Sequence, residues 1–381
     1  MKNKILLSFT AIALSTITNS QVNPKATQKV KNLYGNLKEI AWDSKEVLFG
    51  QEFFNSYRWP ENNFDDPNVS DVKTVTGQHP AVLGQDFDYY NQKTAEEVER
   101  HTKAVKRAYE LGCVITFDYH MHSKNHASTL FEESDKLLMY NIGEQNDSNG
   151  EVTWLKAELD KAIKIINDLN MPIVFRPFHE MNGNWFWWGS KADGGAESYI
   201  KMYQFTVDYV NARTNNVLWE WSPNLPFTEK YYPGDKYVDV VGVDMYDQGN
   251  EGYRSFDDMV SQLEEMSDFS LKHDKIPVFS EVGNRITSPD QKPNWWSDID
   301  EKIQASDRAF KIAWMLTWIN QPWGNPPYVA HGASSEEAKK GLNNFVNSST
   351  ILMQPEAAKR NMYDQSKWTT AKSNALKKDS K

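Results

Sequence analysis

The sequence predicts an α/β fold and, within that class, a (β/α)8 barrel (TIM barrel) that forms one domain. Eight short runs rich in β-branched and aromatic residues are spaced along the chain, and stretches with apolar residues at three- and four-residue spacing separate most of them. Near-continuous apolar runs of this kind are typical of a parallel sheet covered by helices. No Gly-x-Gly-x-x-Gly follows the first run, which argues against a dinucleotide-binding fold.

The runs are predicted as strands because branched and aromatic side chains favour extended backbone on a buried, pleated surface. In chain order the predicted strands are Glu46–Gln51, Ala81–Asp86, Val114–His120, Pro172–Glu180, Val217–Ser222, Val238–Tyr246, Pro277–Gly283 and Ile312–Ile319. The strands are expected to be parallel, since an intervening helix returns the chain to the same edge of the sheet.

One helix is predicted before the first strand, over Ala26–Ala41. The others are predicted over Ala95–Leu111, Trp154–Leu169, Glu197–Asn211, Phe256–Lys272, Ile299–Phe310 and Ser335–Val346. The pattern is clearest where Leu155, Leu159 and Ile166 fall on one helical face, and such a face is expected to pack against the sheet.

Residues 1–20 are expected to be a secretory signal peptide. Lys2 and Lys4 precede an apolar run, Ile5–Ile17, that is too short to span a bilayer, and small residues follow before Gln21. No cysteine lies near the expected cleavage region, so a lipid anchor in the membrane is not expected. We expect export to the periplasm or the medium.

The remaining chain, 21–381, is predicted to be one catalytic domain with its core at about 45–363. The segment 364–381 holds five lysines and two aspartates with little apolar content, and it is predicted to be a solvated, mobile tail. The formal net charge of −10 argues against nucleic acid or an anionic membrane as a partner. Cys113 is the only cysteine, so no intrachain disulfide forms and a large core must stabilise the fold. A monomer is expected.

Polar residues recur where the predicted strands end. In a (β/α)8 barrel these ends meet at one face, which carries the chemistry. The polar or aromatic end residues are Asp118, His120, His179, Glu180, Asp244, Tyr246, Glu281, Thr317 and Trp318. Burying so many charges for stability alone would be costly, so a shared functional site is the better explanation.

Glu180 and Glu281 are the predicted catalytic pair. A glycosidic bond is cleaved by two carboxyl groups, one that protonates the leaving oxygen and one that acts at the anomeric carbon. The acid must stay protonated, which aromatic surroundings favour, and the nucleophile must stay ionised. Three tryptophans follow Glu180 closely, whereas Glu281 lies in a less aromatic strand end, so Glu180 is predicted to be the acid. Alternatively, both glutamates pair with Arg176 or Arg285 at the barrel rim.

Trp185, Trp187 and Trp188 follow Glu180 closely and are predicted, as a cluster, to line a carbohydrate cleft. Sugar rings present flat C–H faces that pack on aromatic planes. For any single tryptophan, filling of the core between helix and barrel is an equally good interpretation.

Metal and serine chemistry are disfavoured. His179-Glu180 lacks the second histidine of the zinc protease motif, since residue 183 is Gly183. His120 and His122 have no complementary lysine or aspartate set, and Gly-x-Ser-x-Gly is absent. No metal and no cofactor are predicted, and His120 is expected to donate to a sugar hydroxyl.

The segment RPFHEMNGNWFWWG at Arg176–Gly189 closely resembles glycoside hydrolase family 26, whose best-known members are β-mannanases. PVFSEVG at Pro277–Gly283 resembles the segment that carries the nucleophile of that family. The resemblance runs from about Lys45 to about Tyr363. It implies a (β/α)8 barrel of a retaining clan, with the acid/base on strand four and the nucleophile on strand seven.

By this resemblance Glu180 is the acid/base and Glu281 the nucleophile. His179 is implied to form a hydrogen bond near the nucleophile, and Tyr246 to hold it, with Asp244 a polar neighbour. The remaining implied substrate contacts are Trp185 on the leaving-group side, Trp318 under the sugar that is attacked, and His120 at a hydroxyl. Ile319 stands where some mannanases have an arginine that reaches a distal sugar, so the resemblance does not predict a distal subsite or a chain-length preference.

The sequence therefore predicts a secreted endo-β-1,4-mannanase that acts on β-mannan by double displacement. Three alternatives remain open: the same machinery on mixed-linkage glucan or β-1,3-xylan, a chain-end mannanase, and a non-catalytic glycan-binding protein.

Overall fold

Eight parallel strands close into a barrel in the computed structural model, which describes residues 21–60, 66–91, 93–125, 135–247, 255–321 and 325–379. The strands are β1 Val47–Glu52, β2 Val82–Asp86, β3 Val114–Tyr119, β4 Ile173–Pro177, β5 Val217–Trp221, β6 Val240–Asp247, β7 Ile276–Asn284 and β8 Trp314–Thr317. Each pairs with the next, and β1 pairs with both β8 and β2, so the barrel has no free edge. The predicted (β/α)8 barrel is confirmed.

Helices surround the barrel. They are α1 Gln28–Asp43, α2 Asp71–Thr76, α3 Asp88–Asn91, α4 Ala95–Glu110, α5 Lys136–Gly143, α6 Glu151–Leu169, α7 Gly195–Asn211, α8 Phe256–His273, α9 Trp295–Gln304, α10 Glu336–Val346, α11 Gln354–Lys359 and α12 Thr370–Asp379. A two-residue strand, β9 Ile351–Leu352, adds to the start of β1. No helix within the described ranges has the length and apolar character needed to cross a bilayer.

Strand residues alternate between two apolar layers, as the two-residue period of a strand requires. Phe175 and Trp219 belong to the layer between barrel and helices, together with the predicted apolar face of α6. Val174 and Leu218 belong to a second layer that includes α1 and the first residues of the other strands. Helix α1 therefore packs at the amino-terminal end of the barrel and leaves the opposite end open for the site.

Contacts of the residues just before α1 support this placement. The amide of Val22 donates to Asp239, immediately before β6, and Thr27 donates to Asn216, immediately before β5. Thr27 also caps the first turn of α1 through its side chain.

The structure differs from the sequence-based expectations at several places, and α9 Trp295–Gln304 begins and ends earlier than the helix predicted over Ile299–Phe310. Strand β4 ends at Pro177 rather than at Glu180, so the residues that follow it form a turn. The segment predicted as a mobile tail includes α12, and Trp368 packs against the layer that includes α1; its mobility stays a prediction. The signal-peptide prediction for residues 1–20 lies outside the described residues.

Candidate active site

Arg176, on β4, lies buried at the centre of the open end of the barrel. Its guanidinium donates to Asp244 at 2.9 Å, to Asp118 at 3.1 Å and to Glu281 at 2.5 Å. These carboxylates belong to β6, β3 and β7, so one side chain ties together four strands. Pairing of Arg176 with a glutamate, considered above as a contact at the barrel rim, is instead an internal part of the site.

Glu281, on β7, is held as an ionised carboxylate. Tyr246 donates its hydroxyl to Glu281 Oε2 at 2.6 Å, while Arg176 occupies Oε1. Burial acts to raise the pKa of Glu281, but the charge of Arg176 and the hydrogen bonds from Tyr246 and Arg176 outweigh it, and this pKa lies below its ordinary value. A buried, ionised carboxylate with two donors is the environment that a nucleophile requires.

Glu180 has the opposite environment. Burial and the negative charge of Glu281 raise the pKa of Glu180, against the hydrogen bonds that its carboxyl group accepts from Asn224 at 2.5 Å and from Trp185 at 2.8 Å. A carboxyl group whose pKa is raised is suited to protonate a leaving oxygen near neutral pH.

The two carboxyl groups lie in one cleft. Asn224, which donates to Glu180, pairs with Asp244, and Asp244 lies directly opposite Glu281 in the register of β6 and β7. The negative charge of Glu281 raises the pKa of Glu180, which also indicates that the two carboxyl groups lie close together. The predicted pair is therefore brought together at the carboxyl ends of strands four and seven.

A strained turn after β4 presents Glu180. Phe178 and Glu180 have left-handed backbone, with φ of 53° and 54°, which side chains other than glycine rarely adopt. Buried donors hold this turn, since Tyr199 of α7 donates to the Phe178 carbonyl at 3.0 Å and Trp188 donates to the His179 carbonyl at 2.8 Å. Surrounding contacts thus stabilise a conformation that the turn alone would not favour.

The three tryptophans after Glu180 have different roles. Trp185 is 43% exposed and donates to Glu180, as a cleft residue would. Trp187 and Trp188 are fully buried, and their indole groups donate to the backbone carbonyls of Met121 and His179. For Trp187 and Trp188 the core-filling interpretation therefore holds, since both lie beneath the turn and supply buried donors to the backbone.

His120 lies at the end of β3 against Asp86, with Nδ1 3.0 Å from a carboxylate oxygen. Burial acts to lower the pKa of His120, but the charges of Asp118 and Asp86 outweigh it and raise this pKa to about 10. Trp318 is half-buried at the end of β8, with its ring 5.6 Å from that of His120. Both predicted substrate contacts therefore lie in the same corner of the site.

His179 is fully buried, and its Nδ1 has no hydrogen-bonding partner among the described residues. Burial and the charges of Arg176 and His120 hold its pKa well below the ordinary value, so the ring is neutral. Its ring lies 4.7 Å from that of His120. The hydrogen bond near the nucleophile that the resemblance implies for His179 therefore stays a prediction.

Asp118, His120 and His179 could in principle hold a metal ion, because one ligand atom from each lies within 4.8 Å of the others. A metal would need a neutral imidazole from His120. The contact with Asp86 and the raised pKa of His120 favour the protonated ring instead, so this donor set fits a cation poorly.

Several site residues were missed by sequence reasoning. The sequence indicates Arg176 only as a rim partner in the alternative interpretation, and it does not single out Asp86 or Asn224. A usable signal was present, because the alternation that turns Val174 into the barrel also turns Arg176 inward. Asn224 follows β5 in a loop, where no periodicity indicates a side-chain direction.

Residues 22–318 match the family model of glycosyl hydrolase family 26. The chain is 26% identical over 371 residues to a mannan endo-1,4-beta-mannosidase of Bifidobacterium adolescentis, across 89% of this chain and 36% of that protein. It is 25% identical to the solved catalytic domain of a GH26 endo-beta-1,4-mannanase of Bacillus sp. JAMB-750, with a TM-score of 0.77, across 91% of this chain and 96% of that one. A Cellulomonas fimi endo-beta-1,4-mannanase structure is also 25% identical, with a TM-score of 0.77, across 92% and 80% of the two chains.

The matches cover 36%, 62% and 60% of three curated relatives, so the chain spans less than two thirds of their length. The family match itself covers well over half of the 381 residues and includes both glutamates. The family predicted from the two motifs is confirmed: the chain belongs to glycosyl hydrolase family 26.

Proposed function

We propose that the protein is an endo-β-1,4-mannanase that cleaves mannan, galactomannan or glucomannan with retention of configuration. The observation that carries this proposal is the pair of buried glutamates in one cleft whose pKa values are displaced in opposite directions, Glu180 upward and Glu281 downward. Two carboxyl groups with unequal proton affinities are what a retaining glycosidase uses. The choice of mannan rests on the relatives described above.

In the first step Glu281 attacks the anomeric carbon. A bond forms between its carboxylate oxygen and that carbon, the glycosidic C–O bond breaks, and Glu180 gives its proton to the departing oxygen. In the second step Glu180 takes a proton from water, the water oxygen bonds to the anomeric carbon, and the ester to Glu281 breaks. Two inversions give net retention, which predicts a carboxyl separation of roughly 5–5.5 Å.

The neighbours of the pair have supporting roles. Arg176 and Tyr246 keep Glu281 ionised between turnovers. Trp185 offers an exposed aromatic face beside Glu180, suited to the sugar on the leaving-group side. Trp318 is proposed to lie under the sugar that is attacked, and His120 to contact a sugar hydroxyl group.

Export is part of the proposal. A polymer such as mannan does not enter a cell, so an enzyme that cleaves it must meet it outside the cytoplasm. The amino-terminal pattern of residues 1–20 supports this location, in the periplasm or the medium. Fractionation of cells that express the full chain tests it, and retention of the protein in the cytoplasm would contradict it.

The activity is tested by incubating the protein with linear mannan, galactomannan, barley mixed-linkage glucan and β-1,3-xylan and measuring new reducing ends. We expect mannans to be preferred, with the β-anomer formed first in proton NMR spectra. Glu281→Ala should abolish turnover without loss of fold, whereas Glu265→Ala, at an exposed position of α8, should not. Hydrolysis of glucan or xylan alone would replace mannan by that polymer, and mannan binding without hydrolysis would indicate a non-catalytic protein.

Product lengths distinguish internal cleavage from chain-end cleavage. A mixture of oligosaccharides early in the reaction supports endo action. Mannobiose as the sole early product would indicate the chain-end alternative.

A further inference from the structure

Arg285 stands at the wall of the cleft on a rigid base. It directly follows β7, and its backbone amide donates to the Asp247 carbonyl at the end of β6 at 2.9 Å. The side chain of Asn284 accepts from the next two backbone amides, those of Ile286 and Thr287, both at 2.9 Å. The backbone that carries Arg285 is thus tied to the sheet on one side and closed into a turn on the other.

Two tyrosines orient the guanidinium group of Arg285. Its central carbon lies 3.7 Å from the ring centre of Tyr246, in a stacked arrangement, and its Nε donates to the Tyr328 hydroxyl at 3.3 Å. Tyr246 is the residue that holds Glu281. The ring stacking and the Nε hydrogen bond do not use the two terminal nitrogens of the guanidinium group. These nitrogens have no hydrogen-bonding partner among the described residues.

The guanidinium lies within electrostatic reach of both catalytic carboxyl groups. Its positive charge acts to lower the pKa of Glu180, and the charge of Glu281 acts to raise the pKa of Arg285. It forms no salt bridge within the described part of the chain, unlike Arg176. A structural arginine would be expected to satisfy its donors with protein groups, whereas a half-buried fork with open donors beside a reaction centre is suited to a ligand.

We propose that Arg285 binds the sugar chain directly, donating from its two terminal nitrogens to a pair of hydroxyl oxygens on a sugar unit beside the scissile bond. This assignment rests on the function proposed above. Neutral hydroxyl groups fit better than an anionic substituent, because the ionised carboxylate of Glu281 would repel a second negative charge. The planar fork of arginine matches two oxygens at once, which a lysine cannot do.

Three variants test the assignment. Arg285→Ala removes charge and donors, and Arg285→Lys keeps the charge but loses the fork. Arg213→Ala is a matched control, since the guanidinium of Arg213 lies 3.6 Å from the Tyr209 ring and bonds the Tyr209 carbonyl at the end of α7, outside the barrel. KM, kcat and the pH profile of kcat/KM are measured for each on a polysaccharide that the unmodified protein hydrolyses.

We expect Arg285→Ala to raise KM roughly 10- to 100-fold, the effect of losing hydrogen bonds from a charged donor. In Arg285→Lys, KM should also rise while the pH profile stays in place, and Arg213→Ala should match the unmodified protein. Calorimetric titration of manno-oligosaccharide into Glu281→Ala, with and without Arg285→Ala, gives the same comparison without turnover.

Two outcomes overturn the assignment. An unchanged KM in both Arg285 variants would overturn it. A shift of the basic limb of the kcat/KM profile in Arg285→Ala, with unchanged KM and unchanged affinity, would also overturn it. In the second case Arg285 would act only on the acidity of Glu180. Failure to hydrolyse mannan while glucan or xylan is cleaved overturns the choice of mannan alone, because the Arg285 comparison is then made on the cleaved polymer. Hydrolysis of none of the polymers contradicts both proposals.

Discussion

Tyr246 helps to keep Glu281 ionised through one hydrogen bond of 2.6 Å, beside the larger effect of Arg176. Tyr246→Phe removes that donor, so the pKa of Glu281 rises toward its ordinary value. Since the nucleophile must be ionised, the acidic limb of the kcat/KM profile is expected to move to higher pH. A hydrogen bond to a charged group contributes about 1.5–3 kcal/mol, which predicts a roughly 10- to 100-fold fall in kcat/KM.

The matched control for this prediction is Tyr209→Phe. Tyr209 donates to Asp160 at 2.9 Å on the protein surface, so its loss removes the same kind of contact away from the site. An acidic limb that stays in place in Tyr246→Phe would show that Arg176 alone sets the pKa of Glu281.

Trp185 has a complementary effect on Glu180. Its indole N–H stabilises the ionised form of Glu180 and so acts to lower that pKa. Trp185→Phe keeps an aromatic face but removes the donor, and the pKa of Glu180 then rises. Because the acid must be protonated, the basic limb of the pH–rate profile is expected to move to higher pH. Trp318→Phe, whose ring contacts His120 instead, should leave that limb unchanged.

At the scale of elements, the strands were predicted closely and the turns were not. Runs such as Val114–His120 differ from the observed β3 by a single residue, because continuous branched and aromatic residues report burial on both faces of a strand. The end of β4 was placed too late, since Phe178-His179-Glu180 continues an apolar run, and the left-handed backbone at Phe178 and Glu180 depends on tertiary donors.

The same limit applies to the site. The two glutamates and their unequal environments could be predicted from their motifs and neighbouring residues. The inward direction of Arg176 could be predicted from strand alternation, but its partners could not, because they come from three other strands and converge only in the closed barrel. The burial of Trp187 and Trp188 could not be predicted either, since a loop carries no periodicity.

Helix α10 offers a test of packing between elements. Replacing glycine by alanine inside a helix ordinarily raises the free energy of unfolding by about 1 kcal/mol. At Gly341, however, an added methyl group would overlap the backbone carbonyl oxygen of Pro293, before α9, which cannot rotate away. Gly341→Ala is therefore expected to lower the free energy of unfolding by about 1–3 kcal/mol, measured by denaturant titration. Lys340→Ala, exposed on the same helix, is the control, and a more stable Gly341→Ala protein would contradict the argument.

At the scale of the whole molecule, carboxyl groups outnumber cations in the open end of the barrel. Arg176 and protonated His120 balance some of the charge, and burial raises the pKa of others, including Glu52, Asp118 and Asp244. The protein thus holds protons at a site where full ionisation would be costly. Several buried carboxyl groups therefore keep their protons, while Glu281 supplies the low-pKa carboxylate that the proposed chemistry needs.

A dependence of stability on pH follows. Burial raises the pKa of Glu220 from 4.5 to about 7, against the charge of Arg176 and the hydrogen bond from Ser280. The folded protein therefore keeps a proton that the unfolded chain has already lost, so stability falls as pH rises from 4.5 through about 7, by about 3 kcal/mol. Unfolding measured from pH 5 to 8 should show this slope.

Glu220→Gln should remove this contribution, because the amide does not titrate. The slope between pH 5 and 8 is then expected to become shallower than in the unmodified protein, whereas Glu265→Gln, exposed on α8, should keep it. An unchanged slope in Glu220→Gln would assign the pH dependence to other groups, such as Asp239 and Asp300, whose pKa values burial raises to about 6.

Helix α1 and the aromatic anchor Trp368 both pack at the amino-terminal end of the barrel, away from the reacting glutamates. The protein could be attached through residues near α1 to a resin, a cell surface or a neighbouring module. The open end of the barrel would then face the surrounding fluid. A long, stiff fibre can lie across this open end without contacting the attachment point.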